Sequence, residues 1–361
     1  MFSSSDYAYM SQALQLAEKG LYSTSPNPRV GCVIVRDGSV VGSGWHERAG
    51  QAHAEINALN IAGVAARGAA IYLTLEPCSH QGRTPPCAEA LIKAGVTRVI
   101  IAMQDPNPLV AGGGCALLKQ AEIEVQMGLM EAEARALNIG FITRMTHKRP
   151  WVRMKIAASL DGKTALKNGT SHWITNEPSR CDGHRLRARS CAVLTGIGTV
   201  LADDPQLTVR QVETARQPLR VVVDSRLQTP VDAKILCGGG ELIFTATASE
   251  GKIMALRDAG AHPIVLPDEN GNVDLVRMMR TLADYEINEV LVEAGARLNG
   301  SLIKAGLVDE LVIYLAPCLI GDVAQSMLNL PELTDLAEKR ALKIQDLRMI
   351  GSDIRIVAKI K

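Results

Sequence analysis

Along the first twenty residues apolar side chains return at helical spacing. Ala8, Met10, Ala13, Leu14, Leu16 and Ala17 define one face of a helix over 6–19, with Gly20 placed as its C-cap. Next, "VGCVIVRDGSVVGSGWH" carries two Val-rich runs around Asp37-Gly38, a pair that two-residue hairpin turns favour. Strands and helices then alternate. A helix is expected over about 53–66, then the strand "AIYLTLEPC", a helix over about 86–94 and the strand "RVIIAM". A helix over about 112–120, the strand "IEVQMGL" and a helix over about 130–146 complete the series. This alternation predicts an α/β layer sandwich.

The basic, proline-bearing segment "RMTHKRPWV" interrupts the pattern, and a second alternating series starts at Trp151. Its clearest strands are "WVRMKIAASLDG", "CAVLTGIGTV", "LRVVVDS", "ELIFTAT", "EVLVEAG", "ELVIYLAP" and "DIRIVAKIK". A chain of 361 residues is long for one core, so two α/β domains are expected, at 1–147 and 148–361.

Composition narrows the picture further. Aromatics make up only 3% of the chain against 47% hydrophobic overall, so the interior is aliphatic, as suits buried Val- and Ile-rich strands. The formal charge of +1, with Lys and Arg spread along the chain, argues against a nucleic-acid partner and leaves anion binding to local sites. The first residues do not have the pattern of a signal peptide, and no run of eighteen apolar residues suggests a membrane span. Eight cysteines in such a chain are expected as reduced thiols or metal ligands in the cytoplasm.

The chemistry concentrates in "HAEINAL" and "TLEPCSHQGRTPPC". His53 stands at a helix start, Cys78 directly after a strand, and Cys87 at the opening of the next helix. One His and two Cys make three ligands for zinc, leaving the fourth position for water in a catalytic site. Glu55, two residues beyond His53, is placed to shuttle a proton for that water without being a ligand. The competing reading is a structural zinc with His80 as fourth ligand. His80 lies only two residues from Cys78, so a substrate-facing or loop-bracing role is preferred.

In the second half, Gly196-x-Gly198-Thr199 is expected as a turn whose N–H groups meet a phosphate. "VLVEAGARLNGSLI" ends a strand at Glu293 and opens a helix near Asn299, placing backbone donors where dinucleotide pyrophosphates bind. Ser225 and Arg226, after "VVVD", suit the 2′-phosphate of NADP, although on these residues alone an ordinary turn is the preferred reading.

These motifs resemble known families. "HAE" with "PC" and a further Cys is similar to the zinc-dependent nucleoside and nucleobase deaminases, though eight residues rather than two separate Cys78 from Cys87. "PNPRVGCVIV" and "EPCSHQGRTPPC", with "KIAASLDGKTA", "SHWIT", "LRARS", "TVLADDPQLTVR" and "VEAGARLNGSL", resemble the bifunctional deaminase-reductase family of riboflavin biosynthesis (RibD) over essentially the whole chain. The resemblance implies a cytidine-deaminase-like three-layer α/β/α domain followed by a dihydrofolate-reductase-like α/β domain. It implies zinc on His53, Cys78 and Cys87, with Glu55 as general acid/base and Asn27 lining a pyrimidine pocket. It implies NADPH contacts at Ala157, Trp173, Thr199, Asp203, Ser225 and Gly295, Ala296, Arg297, Leu298, Asn299, Gly300 and Ser301. Substrate contacts fall on Ser171, Arg187, Leu207, Arg210 and Glu293. Lys155 and Asp203 are the candidates for polarising or protonating the opening sugar, and Arg187 and Arg210 suit a ribose phosphate.

The activity so implied is hydrolytic deamination of 2,5-diamino-6-(5-phosphoribosylamino)pyrimidin-4(3H)-one, then reduction of the ribosyl group to ribityl. Partners are small phosphorylated pyrimidines, and the family implies a dimer or tetramer through the second domain. Three rivals are weighed. A cytidine or tRNA-adenosine deaminase has no need of a second domain with paired arginines. A dihydrofolate reductase leaves the zinc triad unemployed, and a zinc-stabilised binding module needs a fourth protein ligand.

Overall fold

The chain opens as its hydrophobic pattern requires. In the computed structural model, which describes residues 1–79, 86–108 and 110–360, Ser3 and Asp6 form a reciprocal capping box at the start of α1 (Ser4–Glu18). Asp37 and Gly38, both at positive φ (50° and 75°), turn the chain between β1 (Gly31–Arg36) and β2 (Ser39–Trp45). Then come α2 (Ala54–Ala62), β3 (Ala70–Leu73), α3 (Cys87–Ala94), β4 (Arg98–Ile101), α4 (Gly113–Gln120) and β5 (Glu124–Met127). Two helices, α5 (Glu131–Leu137) and α6 (Ile139–His147), close the first unit, Met1–Lys148.

Its five strands run in the order β2-β1-β3-β4-β5, antiparallel at the hairpin and parallel from β3 onward. Glycines fix which helix covers which face. A Cβ on Gly31 would stand 1.9 Å from Ala13 O in α1, whereas a Cβ on Gly42 would stand 2.4 Å from Ala58 O in α2. Gly31 pairs with Trp45 and Gly44 with Cys32, so the two sets point to opposite faces. Helices therefore lie on both sides of the sheet, in three layers.

Two expected helices are shorter than their patterns. The stretch 53–66 stops at Gly63, at φ 52°, and finishes as a 3₁₀ turn. The stretch 130–146 breaks at Asn138, whose side chain accepts from Arg29 N (2.8 Å) and donates to Arg29 O (2.9 Å). That clamp on the "PNPRVG" segment takes the place of helix continuity.

The second unit, Arg149–Lys361, holds a nine-stranded sheet. Its elements are β6 (Trp151–Ser159), β7 (Lys163–Ala165), α7 (Glu177–Arg189), β8 (Ala192–Gly196), α8 (Ile197–Asp203), β9 (Leu219–Val223), β10 (Leu242–Thr245) and α9 (Glu250–Asp258). They continue with β11 (His262–Val265), α10 (Leu275–Asp284), β12 (Glu289–Val292), α11 (Ala296–Lys304), β13 (Glu310–Ala316), β14 (Gln325–Ser326), β15 (Leu342–Ile350) and β16 (Asp353–Ile360). Strand order is β11-β10-β9-β8-β12-β6-β13-β16-β15, parallel up to β13 and antiparallel at the final hairpin, while β14 pairs with β7.

Alternate residues feed two cores, one with Leu194, Val221, Phe244 and Val292, the other with Val193, Val222, Ile243 and Leu291. After β8 the chain moves toward β9, and after β12 it moves the other way toward β13. In open α/β sheets such a reversal is where ligands commonly bind, and here it falls at the C-terminal ends of β8 and β12. Two details differ from the sequence expectations. The segment Gly196-x-Gly198-Thr199 is the first turn of α8 rather than a free turn, and the helix expected near Asn299 already begins at Ala296.

Candidate active sites

In the first unit His53 and Cys87 stand at helix starts, whereas Cys78, expected directly after a strand, lies in the loop beyond β3, which already ends at Leu73. His53 is the N-cap of α2, with extended backbone (φ −73°, ψ 164°), and Cys87 is the first residue of α3. Their ligand atoms, with Cys78 Sγ, all lie within 4.8 Å of one another. His53 Nδ1 is 3.3 Å from Cys87 Sγ and 3.7 Å from Cys78 Sγ. Cys87 N donates to Cys78 Sγ at 3.3 Å. One imidazole and two thiols, half-buried to buried, converge on one point: a donor set that fits zinc. His80 lies outside the described residues.

Glu55, in the first turn of α2, is 3% exposed, and burial pushes its carboxyl up. The hydrogen bond that Cys78 accepts from Cys87 is the main cause holding the Cys78 thiol at about 4, and that bond together with burial holds the Cys87 thiol up. A bond to Cys78 raises His53. Cys32 on β1, fully buried, is pushed up by burial and by Glu55.

Two residues not singled out from sequence frame this site. Glu76, the first letter of "EPC", is buried and accepts from the backbone N–H groups of Asp105 (3.3 Å), Gly112 (3.0 Å) and Cys115 (3.1 Å). It ties the Cys78 loop to the start of α4, where a Cβ on Gly114 would stand 2.0 Å from Pro77 O. His46 Nδ1 is 3.1 Å from Ala52 O, which can only accept, so His46 Nε2 is left to accept from Asn27 Nδ2 at 3.0 Å. The Asn27 amide is thereby oriented beside His53, whose ring meets that of His46 edge-on at 5.3 Å. The signal for Glu76 was the "LEPC" string itself; for His46, nothing but "GWH" at a strand end.

In the second unit Lys155 on β6, Glu293 just past β12 and Arg187 on α7 form one cluster. Arg187 donates to both Glu293 oxygens (2.5 and 3.0 Å) and to Thr208 O (3.0 Å). Lys155 Nζ is 4.0 Å from Glu293 Oε2 and 5.9 Å from the Tyr314 ring centroid. Side-chain exposures are 20% for Lys155, 15% for Arg187 and 13% for Glu293, so the charges are felt strongly. Burial would raise Glu293, but Arg187 and then Lys155 outweigh it and hold the carboxyl at about 2. Burial pushes Lys155 down. His184, one turn before Arg187, is brought to about 4 by burial and by Arg187 and Arg210. Below the cluster Tyr314 donates to Asp182 (2.6 Å), which also accepts from Arg355 (2.7 Å).

The other expected residues are more dispersed. Ala157 follows Lys155 by two on β6 and shares its face, half-buried. Arg210 is exposed, reaching Gln206 Oε1 (3.2 Å) and Thr208 Oγ1 (2.9 Å). The Leu207 side chain is buried in the core, leaving its main chain for contact. Ser171 and Trp173 precede α7; the Trp173 ring is 69% exposed, with the Arg180 guanidinium 4.7 Å from its centroid. Thr199 lies half-buried in the first turn of α8. Asp203, exposed at the end of α8, makes no ion pair among the described residues. Ser225 Oγ accepts from Val273 N at 3.1 Å, and Arg226 is exposed.

Gly295 is the N-cap of α11 without a side-chain cap, and a Cβ there would meet nothing within 4 Å. The first-turn N–H groups of Ala296, Arg297 and Leu298 follow this uncapped start, just past the C-terminal end of β12. Asn299 donates to Ala294 O (3.0 Å), and Gly300 allows close approach, since its Cβ would stand 1.9 Å from Asn329 O. Ser301 is exposed in the same helix.

Comparison with known proteins adds to this geometry. Residues 3–103 match the cytidine and deoxycytidylate deaminase zinc-binding region, and residues 150–356 match the RibD C-terminal domain. Riboflavin biosynthesis protein RibD of Escherichia coli (strain K12) is 47% identical over 361 residues, covering 97% of this chain and 98% of its own. Acinetobacter baumannii RibD, form 1, superposes with a TM-score of 0.92 at 44% identity over 99% of both chains. A diaminohydroxyphosphoribosylaminopyrimidine deaminase/5-amino-6-(5-phosphoribosylamino)uracil reductase from Thermotoga maritima gives 0.88 at 32% identity, again over 99% of both.

Proposed function

We propose residue roles, substrates and a hydride donor for this chain from one premise: it belongs to the RibD family, the deaminase-reductases of riboflavin biosynthesis. One observation carries the reading. A buried carboxylate stands by a His-Cys-Cys triad in one unit, and a Lys-Glu-Arg cluster joins β6, the end of β12 and α7 in the other.

In the first step the substrate is 2,5-diamino-6-(5-phosphoribosylamino)pyrimidin-4(3H)-one, and Asn27, oriented by His46, lines its ring. His53, Cys78 and Cys87 hold zinc, which when bound supplies a Lewis acid that makes water acidic near neutral pH. Glu55 takes the proton from the attacking water and returns it to the departing ammonia, so an amidine carbon becomes the carbonyl of a 5-aminouracil. Its raised carboxyl suits both halves of that transfer.

In the second step the ribosyl group opens to an imine and is reduced at C1′. NADPH, when bound, supplies the hydride. Gly295 to Ser301 and Thr199 receive its pyrophosphate, Ser225 with the neighbouring Arg226 its 2′-phosphate, and Ala157, Trp173 and Asp203 complete its seat. Lys155 is the proton source nearest the cluster, lowered by burial and steadied by Glu293; Asp203 is the alternative. Arg187 uses three of its N–H donors on Glu293 and Thr208, so two remain, and Arg210 is the principal phosphate ligand. Ser171, Leu207 and Glu293 bound the sugar and base.

We further propose a homo-oligomer through the open edge strand β15, where Leu342, Ile344, Leu347 and Met349 are all exposed. We place the enzyme in the cytoplasm, in keeping with eight free cysteines. Among the described residues no helix is long and apolar enough to cross a membrane.

The test is a coupled assay on purified protein. Metal content is measured first, then ammonia release and NADPH oxidation on the diaminopyrimidinone substrate. Zinc near one per chain, ammonia without NADPH, and oxidation only after deamination establish both sites and their order. Zinc without ammonia makes the ion structural.

A further inference from the structure

The imidazole of His184 lies at the back of the Lys155 cluster, 7% exposed, yet no role assigned so far uses it. It shares a face of α7 with Arg187, three residues on. Its Nδ1 accepts the backbone N–H of Arg210 at 3.3 Å, while Arg187 Nη1 donates to Thr208 O at 3.0 Å. Gln217 holds the residue between them, accepting from Val209 N (2.7 Å) and donating to Val209 O (3.1 Å). Three consecutive residues are thus pinned from both sides, and the guanidinium at the end of this pinned stretch is the one read above as the phosphate ligand.

Only a neutral imidazole can do this. Protonation would place an N–H at Nδ1 against the Arg210 N–H, turning a bond into a repulsion. The charged groups around the ring are Arg187 on its own helix, Arg210 on the pinned segment, Glu293 past β12 and Lys155 on β6. Burial first, and then three cations against one anion, keep the ring uncharged at neutral pH. The Nδ1 lone pair is therefore available throughout the working range.

We propose that His184 is a positioning residue of the reductase site, a neutral acceptor that fixes the main chain at Arg210 so that this arginine is set to receive the anionic phosphate of the substrate. The proposal rests on the reading of Arg210 as phosphate ligand, and its test separates the two.

Steady-state reduction of the pre-deaminated substrate is followed in the full-length, zinc-loaded enzyme with NADPH. His184→Ala should raise KM roughly tenfold, the scale of one lost hydrogen bond, with kcat within about twofold. His184→Asn, whose Oδ1 falls close to the position of Nδ1, should recover most of that loss, whereas His184→Gln, which reaches instead toward Nε2, should not. Adding His184→Ala to Arg210→Ala should worsen KM no further, because the histidine acts through the arginine.

If His184 were a cation binding phosphate directly, Asn would fail as badly as Ala and the wild-type profile would lose affinity through pH 6–7; either result overturns the proposal. If Arg210→Ala leaves KM unchanged, the phosphate reading falls and the proposal falls with it. If Arg210→Ala raises KM while His184→Ala does not, the phosphate reading stands and the role of His184 is refuted. Thermal unfolding of His184→Ala and His184→Asn, expected to agree, guards against a KM change that merely reports misfolding; rescue by Asn of stability but not of KM also refutes it.

Discussion

The two units build their sites in opposite ways. In the first, every group of the triad and its carboxylate comes from residues 53 to 87, three of them in the first turn or at the N-cap of a helix and Cys78 in the loop between β3 and α3. In the second, one ion pair alone joins positions 106 apart, and its neighbours come from β6, α7 and the end of β12. The first site takes its precision from short-range geometry, the second from the assembly of a whole sheet. A damaged side chain should therefore act locally in the first unit and spread through the fold in the second.

The largest effect sharpens that contrast. Glu55→Gln should lower kcat for ammonia release by about 10²–10⁴, the range of general acid–base catalysis, while mass spectrometry finds the zinc content unchanged and reduction of pre-deaminated substrate continues. Loss of both activities together would break the picture of separate sites. Next, Glu293→Gln leaves Arg187 and Lys155 in a half-buried cluster without their counter-charge. Reduction should fail, and denaturant unfolding of the second unit should show a loss of about 3 kcal/mol. A variant with undiminished stability would mean that the cluster is solvated and purely functional.

A smaller effect tests the scaffold of the first site. A Cβ at Gly44 would stand 2.6 Å from Ala58 N and 2.7 Å from Ala54 O, so Gly44→Ala must lift α2 from the sheet. The cost should be roughly 1–3 kcal/mol in the first unit, read as a lower melting temperature, with weaker zinc retention because α2 carries His53 and Glu55. Unaltered zinc retention would show that the metal site tolerates a displaced helix.

The smallest effect is in pH. Glu293 titrates near 2 in the folded chain and near 4.5 when free, so its folded pKa is depressed. Its contribution to stability is complete above about 4.5 and is lost as the pH falls from there toward 2. Stability measured from pH 5 down to pH 3 should decline less steeply in Glu293→Gln than in the wild type; parallel slopes would refute the assignment.

These differences explain how far each region was legible in the sequence. The convergence of His53, Cys78 and Cys87 was legible, because "HAE" marks a helix N-cap and the last Cys of "EPCSHQGRTPPC" opens a helix; the strand before Cys78 was read too long, since β3 ends at Leu73. The hairpin at Asp37-Gly38 was equally open, since its two positive φ angles select those residues. The break at Asn138 was hidden: its cause is Arg29, 109 positions away, and no local pattern reports such a clamp. Lys155 was a candidate from its place on a strand, but its pairing was not legible, because only the assembled sheet brings Glu293 to it. His184 and Asp182 carried no signal beyond a polar helix face, and their partners arrive from Arg210, Tyr314 and Arg355.

One consequence of the division between Lys148 and Arg149 belongs to heredity. Among the described residues, the core cluster of the first unit draws on residues from Met10 to Ile142, and those of the second on residues from Val152 to Leu311. A reading frame severed there would encode two polypeptides, each with its own closed interior and one intact set of reactive groups. Joining or severing the two coding segments at this point keeps the residues of each core cluster on one polypeptide.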